Sequence, residues 1–90
     1  MTPYSATMVH DVLANYLAID PDEVTTDDHL ARDWGMDDLD LILVALELED
    51  AFATEFPMAR LEQVTTVRSL VDLVRAWLAS VARPAFARAS

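Results

Sequence analysis

Apolar residues recur at helical spacing through most of this chain, and that periodicity constrains its fold more than any other feature. The clearest segment is the last one, where the apolar residues follow the i, i+3, i+4, i+7 spacing of one helix face. They are Val67, Leu70, Val71, Val74, Trp77, Leu78 and Val81. A single glycine in 90 residues and an apolar fraction of 53% also favour packed helices over a turn-rich β fold. We therefore expect an all-α domain.

Two earlier segments show the same period. The first helix carries Met8, Val9, Val12, Leu13, Tyr16 and Leu17 on one face and should end near residues 18–20. A long ordered loop follows, because Pro21 and Gly35 flank a stretch rich in Asp and Thr. The second helix should run from about Asp38 to Phe52, with Asp37 as N-cap and Asp40 completing a capping box. Residues 58–63 predict a short helix or turn, and Thr65 or Thr66 should cap the last helix.

The second helix has two apolar stripes where most helices of a small protein have one. At 100° per residue, the first stripe contains Leu41, Val44, Ala45, Leu48 and Phe52. The second stripe contains Leu39, Ile42, Leu43 and Leu46. A domain of this size can hardly bury both faces of one helix. We therefore expect one stripe to face solvent or a partner.

The charge of the chain narrows the choice of partners. Sixteen acids and six arginines give a formal charge of −10, and residues 11–62 hold fifteen of the acids against two arginines. Such a field disfavours nucleic acid and anionic membranes and favours a basic protein surface. No apolar run approaches the length of a membrane span, and the chain has no cysteine. These features predict a soluble, cytoplasmic protein.

The sequence gives little evidence of a metal site or a catalytic site. The acids of Asp27-Asp28-His29 and of Asp37-Asp38 with Asp40 could approach a divalent ion, but neither group has the glycine and terminal glutamate of an EF-hand loop. His10 and His29 have no second histidine or cysteine at ligand spacing. No nucleophile, base or paired-carboxylate site emerges. We expect no bound metal and no enzyme activity.

Several short strings, in order and at fixed spacing, resemble the acyl carrier protein family of fatty acid and polyketide synthesis. They are Glu23-Val24-Thr25, Asp33-Trp34-Gly35-Met36-Asp37-Asp38-Leu39-Asp40, Ala45-Leu46-Glu47, Phe52, Thr54-Glu55-Phe56-Pro57 and Val64-Thr65-Thr66-Val67. The resemblance runs without a gap from about Val12 to Leu78. It implies a four-helix bundle with a long first loop and a short third helix, occupying residues 1–80 and followed by a flexible tail at 81–90.

One departure from the family pattern dominates the functional expectation. By resemblance, Asp38 stands where the family has the serine that bears a phosphopantetheine arm. A carboxylate offers no hydroxyl for a phosphodiester, so the sequence predicts no phosphopantetheine and no cofactor at this position. Asp38 would then either imitate the charge of the loaded form or be an ordinary helix-end acid, which the N-terminal end of a helix favours.

The resemblance also predicts a partner-binding surface on the second helix. Leu39, Ile42 and Leu46 match family positions that face partner enzymes, and Glu49 and Asp50 match acids that meet basic patches. Leu43 departs from the pattern, because the family usually has an acid there. With Asp37, Asp38 and Asp40 at the helix start, these residues form the predicted docking surface.

Three functions stay open from the sequence. The preferred one is a non-carrying relative of acyl carrier proteins that docks non-covalently on an acyl-metabolism or natural-product enzyme through its second helix. The second is a genuine carrier of fatty acid or polyketide synthesis whose attachment serine has been replaced. The third is a structural module that forms a homodimer through the exposed apolar stripe.

Overall fold

Residues 4–82 are the part of the chain that the computed structural model describes, and they contain four α-helices and two short 3₁₀ helices joined by turns and loops. The α-helices are α1 (Tyr4–Leu17), α2 (Leu30–Trp34), α3 (Asp38–Phe52) and α4 (Val67–Ala82). The 3₁₀ helices are Pro21–Glu23 and Met58–Gln63. Residues 4–82 contain no β-strand beyond one isolated bridge between His29 and Thr66. The predicted all-α fold is confirmed, and the predicted second helix is α3.

The core lies between α1, α3 and α4. The largest side chains that are fully buried come from all three helices and from α2, and they are Leu13, Leu30, Leu48, Leu70, Val9, Val44, Val67 and Val74. Each of the long helices turns its apolar face inward and leaves charged residues outside, as the periodicity predicts. This packing fixes the position of α3, which carries the predicted docking surface.

The segment between α1 and α3 has more structure than the single loop expected from the sequence. It contains the first 3₁₀ helix and the five-residue helix α2. Its backbone is held to the start of α4, because the amide of Leu30 donates to the Thr65 carbonyl at 2.9 Å and the amide of Val67 donates to the Asp28 carbonyl at 3.0 Å. The indole of Trp34 donates to the Asp28 carboxylate at 2.9 Å and anchors the segment from within. The chain therefore reaches α3 along a fixed path.

Gly35 ends α2 and redirects the chain into α3. Its φ of 66° lies in the left-handed region, and its amide donates to the Ala31 carbonyl at 2.9 Å. The bond from Gly35 is that of an αL C-cap, and the amide of Met36 adds a bond to the Leu30 carbonyl at 3.1 Å, so carbonyls at the end of the short helix α2 are satisfied. Met36 is buried directly after the turn. The only glycine of the chain thus stands where the backbone conformation favours one.

An aromatic cluster holds the other end of α3. The ring of Trp77 on α4 makes edge-to-face contacts with Phe52 and Phe56, at centroid separations of 5.6 and 4.8 Å. Its indole N–H donates to the backbone carbonyl of Glu55. Such pairs are stabilised beyond their burial by the ring quadrupoles. The connection that leaves α3 is therefore packed against α4.

The start of α4 is capped as the sequence predicts, with Thr66 in the cap position. The Thr66 hydroxyl accepts from the Ser69 amide at 3.1 Å, and the Ser69 hydroxyl accepts from the Thr66 amide at 2.8 Å. At its far end α4 includes Val81 and Ala82, which the sequence assigned to the tail. The remainder of the predicted flexible tail, residues 83–90, lies outside the described residues. No helix within residues 4–82 has the length and apolar character needed to cross a bilayer.

We predict that Gly35→Ala lowers the free energy of unfolding by about 1–2 kcal/mol, because a Cβ is disfavoured in the left-handed region. The space around Gly35 is open, so this cost comes from the backbone and not from a clash. Urea unfolding followed by circular dichroism measures it. Ala53 has a φ of 52° at the end of α3, which makes Ala53→Gly the matched control with the opposite sign. Equal destabilisation by both changes would contradict the backbone explanation.

Candidate functional site at the start of α3

The first turn of α3 is closed by a reciprocal pair of aspartates. The amide of Asp40 donates to Oδ1 of Asp37 at 3.0 Å, and the amide of Asp37 donates to Oδ2 of Asp40 at 2.9 Å. Asp37 is the N-cap and Asp40 the third helical residue, so the predicted capping box is present, with aspartate in the place of the usual glutamate. The box satisfies amides that the helix leaves unpaired.

Tyr16 connects this turn to α1. Its hydroxyl donates to Oδ1 of Asp40, so one carboxylate receives a side-chain donor from α1 and a backbone donor from Asp37. The Tyr16 hydroxyl, followed by the Asp37 amide, lowers the pKa of Asp40 below its ordinary value. The hydrogen bond to Asp40 is in turn the main reason that the pKa of Tyr16 is raised. Two elements distant in sequence thus fix the geometry of the helix start.

Asp38 is the first residue of α3 and is exposed. Its carboxylate lies at the positive end of the helix dipole, where an anion is favoured. Arg32, Arg68 and Arg75 form the ion pairs found within residues 4–82, and none of these pairs includes Asp38. The side chain therefore presents a negative charge to the outside of the molecule.

The two apolar stripes of α3 differ in their exposure to solvent. From the first stripe Val44, Ala45 and Leu48 are buried and Leu41 and Phe52 pack at the edge of the core. The second stripe stays exposed, with 62% of Leu39, 42% of Ile42, 40% of Leu43 and 47% of Leu46 accessible to solvent. The structure therefore brings the predicted apolar docking residues together on one open face.

The acidic residues predicted for this face differ from one another in exposure and in their contacts. Asp37, Asp38 and Asp50 are exposed, whereas Asp40 is half-buried by its contact with Tyr16. Glu49 was expected to meet a partner, but its carboxylate accepts the amide of Phe56 at 2.8 Å and so fixes the connection that follows α3. Glu49 therefore has a structural contact that the sequence did not reveal.

A cavity of about 300 Å³ lies between α3 and the second 3₁₀ helix. The walls contributed by α3 are Asp38, Leu41 and Ile42, and the 3₁₀ helix contributes Met58, Leu61 and Glu62. The sequence did not identify the last three as site residues, because their position beside α3 depends on how the connection folds back. Asp38 thus stands at the junction of the docking surface and a largely apolar cavity.

The metal candidates of the sequence have other roles in the structure. Asp28 accepts from the hydroxyl and the amide of Thr25, at 2.6 and 2.9 Å, and these contacts lower its pKa. His29 caps α2, since its Nδ1 accepts the amide of Arg32 at 3.1 Å. Within residues 4–82 no three potential ligands converge on a metal site.

We predict that Tyr16→Phe destabilises the protein at neutral pH and that the effect shrinks in acid. Because the native pKa of Asp40 lies below 3.8, its contribution to stability is present above that value and is lost as the pH falls through the lower native pKa. Urea unfolding of both proteins between about pH 7 and pH 3 measures the difference. Amide exchange in the first turn of α3 should accelerate in the variant.

Asp40→Asn provides the second side of a double-mutant cycle with Tyr16→Phe. If the hydroxyl and the carboxylate act as one contact, the double variant is less destabilised than the sum of the two single ones. Strict additivity at neutral pH would show that Tyr16 does not hold the helix start through Asp40.

The comparison with protein families bears directly on the cofactor. A family model described as the phosphopantetheine attachment site matches residues 9–74, which is most of the chain. The match begins within α1, includes all of α2 and α3, and ends within α4. This family carries a covalently attached phosphopantetheine group. The expectation of no cofactor rested on Asp38 alone. It is wrong, because the family that the sequence matches carries phosphopantetheine.

The side chain of residue 38 does not itself fit that group. A carboxylate has no alcohol oxygen for a phosphodiester, and the hydroxyl that contacts this turn belongs to Tyr16 and donates to Asp40. Carrier domains of this family hold acyl groups and are not themselves catalysts. With the match over residues 9–74 and the all-α bundle that presents α3 on its surface, the chain belongs to the phosphopantetheine-binding family that includes the acyl carrier proteins.

Proposed function

We propose that this protein is an acyl-carrier-type module that docks on an enzyme of acyl metabolism or natural-product biosynthesis through the exposed face of α3. The observation that carries the proposal is the concentration of exposed apolar side chains. Of the large apolar residues that are exposed within residues 4–82, only Val81 lies away from α3. Exposed apolar patches rimmed by polar residues are typical of protein interaction sites.

Charge supports a basic partner. The docking surface consists of Leu39, Ile42, Leu43 and Leu46 with the acids Asp37, Asp38, Asp40, Glu49 and Asp50. The ion pairs formed among residues 4–82 leave all five acids without a cationic partner. The acids of such a surface accelerate the encounter with a positive patch, and its apolar centre supplies affinity when a partner buries it. Leu43 enlarges that apolar centre at a position exposed to 40%.

A homodimer through the same face is less well supported. The exposed stripe alone would suit self-association, but a symmetric pairing would bring the acids of one copy against those of the other. Like charges across an interface oppose binding. Light scattering at low and high salt distinguishes this alternative, because salt would screen the repulsion and favour the dimer.

We predict that Asp38→Ser converts residue 38 into an attachment point. Incubation with coenzyme A and a broad-specificity phosphopantetheinyl transferase should give one added arm, located by peptide mapping at residue 38, because the new hydroxyl stands in the first turn of α3. The natural sequence, treated and mapped in parallel, is the control that shows whether any other residue accepts the group. An arm on any other residue of the variant would refute the assignment of this turn as the attachment position.

We predict that Ile42→Glu and Leu43→Glu each reduce docking about tenfold, which corresponds to about 1.4 kcal/mol. The same transferase supplies a defined reaction: kcat/KM for modification of the Asp38→Ser protein is measured with and without each change. Val81→Glu is the matched control, since Val81 is similarly exposed but lies on α4. Circular dichroism confirms that the fold is retained.

An unchanged kcat/KM for both α3 variants would contradict the docking proposal. Equal losses for Val81→Glu would instead indicate a general effect of added charge. Capture from the source organism with the natural protein, compared with Ile42→Glu, then identifies the enzyme that requires this face.

A further inference from the structure

The cavity between α3 and the second 3₁₀ helix combines an apolar wall with two carboxylates. Its volume of about 300 Å³ lies at the small end of the range for ligand pockets. The apolar part of the lining consists of Leu41, Ile42, Met58 and Leu61. The carboxylates belong to Asp38 on α3 and Glu62 on the 3₁₀ helix. A group that fills the cavity therefore meets mostly hydrocarbon and two negative charges.

The fold itself does not use these two carboxylates. The capping hydrogen bonds at the start of α3 are made by Asp37 and Asp40, not by Asp38. The ion pairs formed within residues 4–82 include neither Asp38 nor Glu62. Both residues are exposed, so water solvates their charges in the free protein. Both charges can therefore interact with a ligand.

No cation of the described segment compensates this charge. Arg60 lies on the same 3₁₀ helix as Glu62, but it lines a different concave surface, together with Asp72 and Leu73 of α4. The other three arginines of residues 4–82 are paired with acids outside the cavity. The cavity thus keeps a net negative lining.

The dipole of α3 reduces this charge without cancelling it. The N-terminal end of a helix carries roughly half a positive elementary charge, whereas Asp37, Asp38 and Asp40 carry one carboxylate each. Tyr16 donates a neutral hydroxyl to Asp40 and adds no charge. Electrostatics beside Asp38 therefore favour a cation.

The apolar wall restricts which cation fits. A metal ion needs more oxygen ligands than two carboxylates supply, and no three potential ligands converge within residues 4–82. A small hydrated cation would leave the hydrocarbon of the wall in contact with water. A cation that carries an alkyl chain matches both parts of the lining.

We propose that this cavity binds a primary alkylammonium ion, with its alkyl chain on the apolar wall and its ammonium group held by Asp38. Glu62 adds a second negative charge to the lining. Asp38 acts as a counter-ion, a role that a carboxylate can fill and a serine hydroxyl cannot. The cavity shares Asp38 and Ile42 with the docking surface, but the ligand is a small molecule and its binding requires no partner enzyme.

A homologous series tests the apolar wall. The ¹⁵N-labelled full chain is titrated with butyl-, hexyl- and octylammonium below the concentrations at which they form micelles. Each added methylene should tighten binding by up to about fourfold, because it moves from water to hydrocarbon. Equal dissociation constants along the series would contradict the proposal.

Neutral variants test the counter-ion. Asp38→Asn should weaken octylammonium binding by up to about fivefold, the range of an exposed ion pair, and should leave octanol binding unchanged. Glu47→Gln is the matched control, since Glu47 is an exposed acid of α3 outside the cavity lining. Octanoate should bind more weakly than octanol, because the same carboxylates repel it. Octanol binding as tight as that of octylammonium, or an Asp38→Asn variant that behaves like Glu47→Gln, would overturn the proposal.

Methyl groups locate the ligand. Nuclear Overhauser effects should join the alkyl chain to the methyl group of Met58 in the cavity, and not to that of Met8 on α1. Contacts with Met8 alone would place the ligand elsewhere and refute the site.

Leu43→Ser separates this site from the docking function. It removes apolar surface from the docking face but not from the cavity, so octylammonium should bind the variant as it binds the natural chain. If enzyme docking fails its own test while octylammonium still requires Asp38, the cavity site stands alone. If octylammonium does not bind the natural chain, the site is refuted and the docking proposal is unaffected.

Discussion

α3 carries two apolar faces in a domain that can bury one, and the rest of the structure follows from that constraint. One stripe, with Val44, Ala45 and Leu48, is buried in the core against α1 and α4. The other stripe is exposed to solvent. Exposing Leu39, Ile42, Leu43 and Leu46 lowers the stability and solubility of the isolated chain. A recognition surface on α3 gives a physical reason for their presence.

The two ends of α3 are fixed by different means. At the start, hydrogen bonds within the capping box and from Tyr16 set the orientation of the first turn. At the end, packing of Trp77 on Phe52 and Phe56 and the contact between Glu49 and the Phe56 amide set the path of the connection. A helix held at both ends can offer a fixed surface, which reduces the entropy lost when a partner binds.

Periodicity predicted the long helices well and the short elements poorly. The predicted span of α3 coincides with the observed Asp38–Phe52, and Asp37 and Thr66 act as the caps that local sequence indicates. α2 was missed because five residues complete barely more than one turn and show no period. Capping and periodicity are local properties, so one sequence suffices to read them.

Contacts between distant residues could not be predicted in the same way. Tyr16 fits the apolar face of α1, and nothing in its neighbourhood indicates a hydrogen bond to a carboxylate 24 residues away. Met58 and Leu61 join a cavity beside α3 only because the connection folds back, and Glu49 is engaged for the same reason. The expectation of no cofactor was wrong for another reason. It rested on the single residue Asp38, whereas the family pattern extends over residues 9–74.

The two tryptophans lie near opposite ends of α3, so their intrinsic fluorescence can report on each end of the helix. Trp34 is half-buried beside the Asp28 carboxylate before α3 begins, whereas Trp77 lies in the apolar cluster where α3 ends. Their emission spectra should differ accordingly, the first shifted toward the red by its polar surroundings. Replacing either by phenylalanine leaves a single tryptophan, so that loosening of one end of the helix can be followed separately from loosening of the other.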